Sequence, residues 1–253
     1  MAEKRRVDQL LVEQGLVESR AKAQALVLAG LVGCAGRRVD KPGELISAGA
    51  VLTVKGPAHP WVSRGGLKLA HALDRFGICV EGKVALDIGA STGGFTDVLL
   101  SRGAERVHAV DVGHGQLAWK LRQDSRVVVH ERLNARRLTR EHIGERVDII
   151  TCDASFIGLA TVLPAPLALA ADRAELVALI KPQFEAGPDR VGKGGVVRDP
   201  AIQREVCERA AAWVAAQPGW IVIGIIESPI LGPEGNREFL LYAGRNGAEQ
   251  DQR

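Results

Sequence analysis

Cysteine is scarce and scattered in this chain. Cys34, Cys79, Cys152 and Cys207 are widely spaced, and no two form a C-x-x-C pair. That spacing argues against a zinc site and a disulfide framework, and points to free thiols in a reducing cytosol. The six histidines show no metal-ligand spacing either, so no metal is expected. Long apolar runs are missing too. The longest, Ile157 to Ala171, is broken by Pro164 and Pro166 and is too short to span a bilayer. Met-Ala-Glu-Lys-Arg-Arg at the start leads into an amphipathic pattern and not into the apolar core of a signal peptide. No repeat of fixed period is present. A cytoplasmic protein without membrane contact is the expectation.

What is present suits one large or two modest domains: 253 residues, of which 46% are hydrophobic. The net charge is only +3, but its placement is uneven. Residues 1–60 carry nine Lys/Arg against six Asp/Glu, and the remainder carries 24 of each. An excess confined to one end is what contact with a polyanion there would require.

Residues 1–56 read as a small α+β unit. Val7, Leu10 and Leu11 predict a first helix. Ser19 is placed to cap a second helix, whose Ala21, Ala25 and Leu28 share one face, with Gly30 at its end. Short strands follow at 31–34, 37–39 and 51–54. Residues 57–63 form a Pro-containing, semi-rigid linker, in which Trp61 either packs or stacks on a base. From there a helix at 65–76 opens a regular alternation. Strands are predicted near 84–88, 107–111, 126–130, 147–152, 175–181, 220–227 and 238–243, with helices near 94–102, 115–122, 157–171 and 200–216. The class is α/β, with a seven-stranded, mostly parallel sheet covered on both faces. The last two strands permit an antiparallel edge. Residues 64–244 form this second domain, and 245–253 a flexible tail.

The most informative segment runs from Val84 to Thr96. An apolar strand ends in Asp87, a small-residue turn follows (Gly89, Ser91, Gly93, Gly94), and Phe95 and Thr96 begin a helix. Glycines let backbone approach a ligand, and a helix start offers free N–H groups. Asp111, ending the next strand, suits the hydroxyls of a ribose. The dinucleotide pattern Gly-x-Gly-x-x-Gly is not met, because Ser91 stands at its second glycine. Asp87 would repel a phosphate but could orient a cation. S-adenosylmethionine has a ribose, an ammonium and a sulfonium and no phosphate, and fits best; a nicotinamide or flavin is the alternative. Asn134, after a third strand, either meets the adenine or caps a turn.

Four charged residues stand beside this loop or at strand ends: Lys68, Asp153, Lys181 and Glu238. Ligands of open α/β sheets bind beyond the carboxyl ends of the strands. If the acceptor is a hydroxyl, it needs its proton removed, and a desolvated lysine can do this. Lys181 is the expected base and orienter, with Asp153, Lys68 and Glu238 positioning it and the acceptor. Ser155-Phe156 and Pro182 to Glu185 are placed to shape an acceptor pocket, and the glycine-rich segment 187–199 reads as a mobile substrate loop.

These residues carry a resemblance. Trp61 to Leu69, Asp87 to Thr96, Asp111 to Leu117, Lys181 to Glu185 and Gly194 to Val197 together resemble the TlyA family of ribosomal RNA 2′-O-methyltransferases, also labelled haemolysin A. The resemblance covers nearly the whole chain and implies a Rossmann-like class I methyltransferase fold of the FtsJ type. It also implies S-adenosylmethionine as cofactor and cytidines of ribosomal subunits as targets. The family's catalytic Lys-Asp-Lys-Glu set falls by motif on Lys68, Asp153, Lys181 and Glu238. Arg6 to Leu11, Gly15-Leu16 and Ser19-Arg20 resemble the S-four-type RNA-binding module. Arg5, Arg6, Arg20, Lys22, Arg37 and Arg38 are then its phosphate contacts. Cys34-Ala35-Gly36 departs from the usual Val-Asn-Gly turn. Two rival readings are a non-catalytic RNA-binding or assembly factor and a pore-former.

Overall fold

The computed structural model describes residues 3–17, 19–54 and 59–246. Residues 57 and 58 of the expected linker, and the expected tail from 247 onward, lie outside the described residues. The chain divides into two compact units, with the boundary between Pro60 and Trp61.

The first unit begins with β1 (Lys4–Arg6), α1 (Val7–Glu13) and α2 (Arg20–Leu28), followed by β2 (Val32–Cys34), β3 (Arg37–Arg38), β4 (Leu45–Ser47) and β5 (Leu52–Val54). β1 pairs with β4, and β2 lies between β3 and β5. The Ser19 hydroxyl caps α2 by accepting from Lys22 N at 3.3 Å. Val7, Leu10, Leu11, Ala23, Val27, Val32 and Ile46 meet in its core. The buried face of α2 is therefore the one carrying Ala23 and Val27; Ala21, Ala25 and Leu28 are exposed. Two alanines define the phase of a helix weakly, and the larger Val27 decides it by packing onto α1.

The second unit opens with α3 (Gly65–Phe76). Then come β6 (Val84–Ile88), α4 (Gly94–Ser101), β7 (Arg106–Val110), α5 (Trp119–Arg122), β8 (Val127–His130), α6 (Arg140–Ile143) and β9 (Val147–Cys152). After these follow α7 (Leu159–Val162), α8 (Pro164–Ala168), β10 (Ala170–Ile180), α9 (Pro182–Glu185), α10 (Pro200–Ala215), β11 (Trp220–Glu227) and β12 (Phe239–Arg245). The seven strands lie in the order β11-β12-β10-β9-β6-β7-β8. All pairs are parallel except those of β12, which runs antiparallel to both β10 and β11. Because the central strands are covered on both faces, their sequences are apolar throughout, as in Leu176 to Ile180. One face packs on α3 and α4 through Leu69, Leu73, Val98 and Leu99, and the other packs on α7, α8 and α10 through Val162, Leu167 and Val206.

Two expected helices are altered. The helix expected over 157–171 is split at Pro164, which starts α8, and Ala170 already belongs to β10, paired with Val147. A proline tolerated at a helix start cannot continue the helix before it. The helix expected over 115–122 begins only at Trp119. Gly115 at φ +71° and the Asp111 carboxylate, which accepts from Gly113 N at 2.6 Å, shape the preceding residues into turns. Trp61 packs within the second unit, against Gly66: a Cβ there would lie 2.9 Å from the indole.

β6 and β9 are hydrogen-bonded neighbours, and their connections leave toward opposite sides of the sheet. Such a switch point opens a crevice at the carboxyl ends of the strands.

Candidate functional site

Two cavities occupy that crevice. The larger, about 460 Å³, is bordered by Gly89, Ser91, Asp111, Gln116, Asn134 and Asp153, with an apolar side of Ile88, Val110, Leu133, Ile157 and Val162. The smaller, about 300 Å³, is lined by Ser63, Arg64, Lys68, Gly94, Phe95 and Lys181. Gly89, Ser91, Asp153 and Ser155 border both. Volumes of this size suit a small ligand.

The loop between β6 and α4 is built by close approach. Gly89 is left-handed at φ +79°, and a Cβ on it would come within 3.0 Å of the Ala154 backbone. Gly93, at φ +96°, lies under Leu117 and Leu121; a Cβ would sit 2.2 Å from Leu121 Cδ1. Only glycine serves there, by conformation and by space alike. Ser91 N donates to Asp111 Oδ2 at 2.8 Å, so the acid after β7 ties the loop to the wall of the larger cavity. Asn134 caps the short turn at 135–137, accepting from Arg136 N at 3.0 Å, and also lines the cavity. Both sequence-based roles for it are thus compatible.

Asp87, Gly93 and Thr96 border neither cavity. Asp87 is fully buried. It accepts from Thr96 Oγ1 at 2.7 Å and from Thr151 Oγ1 at 3.0 Å, so it ties the start of α4 to β6 and β9 from behind the loop. Burial pushes its carboxyl up to about 6, the two hydroxyls opposing the shift. Gly89, Ser91, Gly94, Phe95, Asp111 and Asn134 do border the cavities.

The four charged residues form two ion pairs. Lys181 Nζ lies 2.7 Å from Asp153 Oδ1, off the hydrogen-bonding direction, and donates to Ser155 Oγ at 2.8 Å and to Asp153 O at 3.2 Å. Lys68, from α3, donates to Glu238 Oε2 at 2.6 Å, both side chains being almost wholly buried. Lys68, Asp153 and Lys181 face the smaller cavity, and Glu238 stands behind Lys68. Glu238 Oε1 is buried against Gly232, where a Cβ would come within 2.2 Å of it.

Phe156, beside Ser155, is left-handed at φ +63° and 89% exposed, its ring centroid 4.9 Å from that of Phe184. The segment 187–199 is partly ordered. Gly192 and Val196 form a bridge, Val197 N donates to Asn236 Oδ1 at 3.1 Å, and Asn236 Nδ2 donates to Gly195 O at 2.9 Å. Asn236 thus braces Val197 and Gly195. Gln116 on the larger cavity and Ser63 and Arg64 on the smaller one were not singled out from the sequence. Their signal in the sequence is that they lie within the strings 61–69 and 111–117 that carry the family resemblance.

In the first unit Arg5, Arg20, Lys22, Arg37 and Arg38 are exposed and Arg6 is half-buried, and all five arginines are ion-paired. Arg5 pairs with Glu3 and Glu13, Arg6 and Arg20 with Asp8, Arg37 with Glu44, and Arg38 with Asp40. Exposed pairs of this kind contribute about 0–1 kcal/mol, so a polyanion can displace the acid at little cost. Asp8 differs, being wholly buried, and the structure brings Arg6 and Arg20 together on it.

Comparison with known proteins agrees with this division. Residues 61–245 match the FtsJ-like methyltransferase family, and residues 5–52 match the S4 domain. The 16S/23S rRNA (cytidine-2′-O)-methyltransferase TlyA of Mycobacterium tuberculosis is 52% identical over 244 residues, covering 96% of this chain and 90% of that protein. A Bacillus subtilis protein, YqxC, named as an rRNA methyltransferase, is 49% identical over 251 residues, covering 99% of this chain and 89% of its own. A solved structure from Streptococcus thermophilus, named as a hemolysin, superposes with a TM-score of 0.73 at 45% identity, covering 97% of this chain and 90% of that one. The expected Rossmann-like sheet with an N-terminal S4 domain is the fold observed, and the chain belongs to the TlyA family of FtsJ-like methyltransferases.

Proposed function

We propose that the protein transfers a methyl group from S-adenosylmethionine to the 2′-hydroxyl of a cytidine in ribosomal RNA, acting on ribosomal subunits in the cytoplasm. One observation carries the reading: two adjoining cavities share the wall Gly89, Ser91, Asp153 and Ser155, and Lys181 stands at that wall. The larger cavity suits the cofactor. Its apolar side accommodates an adenine, Asp111 faces a ribose, and its acids Asp111 and Asp153 favour a ligand carrying positive charge. Bound there, S-adenosylmethionine supplies a methyl group already activated by its sulfonium.

The chain's own residues deal with the acceptor. Lys181, held by Asp153 and Ser155, orients the hydroxyl and in its neutral form takes the proton. Lys68, fixed by Glu238, also lines the smaller cavity and holds the ribose there. Asp87 and Thr96 are assigned to shaping the loop and not to touching the cofactor. The domain assignment follows: residues 1–56 bind RNA, 57–63 link, 64–244 carry out transfer, and 245–253 form a tail. Arg5, Arg6, Arg20, Lys22, Arg37 and Arg38 contact phosphates.

The name hemolysin carried by a relative gives no comparable support, since among the described residues no helix is long and apolar enough to cross a membrane. Nucleoside mass spectrometry of ribosomal subunits incubated with protein and S-adenosylmethionine tests the proposal. A gain of 2′-O-methylcytidine is expected. Methylation of a base, or none on subunits or free RNA, would contradict it.

A further inference from the structure

Asp8 has no part in methyl transfer, yet it is among the most heavily bonded side chains of the first unit. It is wholly buried at the start of α1. Arg6 donates to it through both Nε (3.0 Å, to Oδ1) and Nη2 (2.9 Å, to Oδ2). Arg20, from α2, donates through Nε at 3.0 Å, and Gln24, one turn later, through Nε2 at 2.9 Å, both to Oδ2. A buried carboxylate needs this many donors, because it has lost its water. The clustered donors hold its carboxyl well below the usual carboxylate range, so the carboxylate stays charged at physiological pH.

Two arginines from different elements are thereby fixed to one anchor. Each engages Asp8 through its Nε side only, and their side chains stay 40% and 50% exposed. A guanidinium has two hydrogen-bonding edges, and with one edge held the other is presented in a defined direction. The 41–43 turn completes the frame. Asp8 N donates to Pro42 O at 3.0 Å, and Gly43 lies so close to the Arg6 guanidinium that a Cβ would sit 3.2 Å from Nη1.

We infer that Asp8 is a positioning residue for RNA binding: it sets Arg6 and Arg20 as a rigid pair of forks for phosphodiester groups of the RNA backbone. This rests on the proposed RNA substrate. Pre-set forks lose little side-chain freedom on binding, whereas free arginines must be ordered at that moment. The pair confers no base specificity, since phosphate contacts fix register and not sequence.

The test is binding of the full chain to fluorescently labelled, in vitro transcribed 16S and 23S rRNA between 50 and 200 mM salt. Asp8→Asn is expected to weaken binding about tenfold, as loss of charge-assisted hydrogen bonds would. It should also lower the slope of log affinity against log salt by about 1–2, for two phosphates. Added to Arg6→Gln/Arg20→Gln, Asp8→Asn should change affinity less than about twofold, because it acts through those two residues. Thermal melting reports whether Asp8→Asn still folds. If it does not, Arg6→Lys/Arg20→Lys decides, keeping Asp8 and both charges: an ammonium held by Asp8 has no second edge, so affinity should still fall. Wild-type affinity in a folded Asp8→Asn, full additivity with the double variant, or unimpaired binding by the lysine variant would overturn the role of Asp8. Failure of the wild-type protein to bind either RNA would instead overturn the RNA-modifying reading beneath it.

Discussion

Lys68 and Glu238 hold each other's charge in a space with almost no water, 2.6 Å apart. Removing one partner strands the other. Glu238→Ala should cost about 3–5 kcal/mol in denaturant unfolding. Lys68→Met/Glu238→Met should regain most of that stability and still fail to methylate, because packing can replace a buried pair but not position a ribose. A methylating double variant would remove Lys68 and Glu238 from the reaction. Asp87 makes a separate expectation about pH. Its carboxyl titrates at about 6 in the folded chain against an ordinary 3.8. Between those values the folded chain keeps a proton that the unfolded chain has released. The unfolding free energy therefore falls as pH rises through this window and is level above it. The total is about 3 kcal/mol. Asp87→Asn should flatten the melting temperature between pH 4 and 7, and an unchanged slope would place the titration elsewhere.

The loop between β6 and α4, and the arm at 194–197, owe their shapes to contacts far away in sequence. Gly94→Ala would drive a Cβ to within 2.2 Å of Ser63 Oγ and 3.0 Å of Gly66 N, prying α4 from the start of α3. Affinity for S-adenosylmethionine, read by calorimetry, should fall at least about tenfold, a 1.4 kcal/mol loss. Undiminished affinity would mean that α4 tolerates the shift. Asn236→Ala should release the arm, raising amide exchange over 192–197 and the KM for RNA while leaving cofactor affinity in place. Much of this architecture was legible in the sequence, where the signals are local. An apolar run closed by an acid marks β6, β7 and β9, and small residues mark the loop. Lys68, Asp153, Lys181 and Glu238 stand out as charges at element ends. What was not legible depends on partners distant in sequence. Nothing near Asp87 in the sequence announces Thr151, on β9, as its hydrogen-bond donor. Ala170 reads as helix until it pairs with Val147. The face of α2 was misplaced because Leu28, at the end of the helix, stays exposed while Val27 packs into the core.

Each of the two units has its own hydrophobic core, and the proposed division of labour is that one holds RNA and the other transfers the methyl group. Deleting residues 1–56 should therefore weaken rRNA binding and flatten its salt dependence while sparing S-adenosylmethionine binding. A salt slope equal to that of the full chain would show that the phosphates are met by the second unit instead. The whole account turns on Lys181, which joins the cofactor wall to the acceptor cavity. The decisive measurement is transfer of a radiolabelled methyl group from S-adenosylmethionine to purified ribosomal subunits by wild type and Lys181→Ala. The expected result is label on RNA with wild type, a loss of about 10²–10⁴-fold in the variant, and cofactor binding retained by both. Equal rates in the two proteins, or no transfer by either, would contradict it.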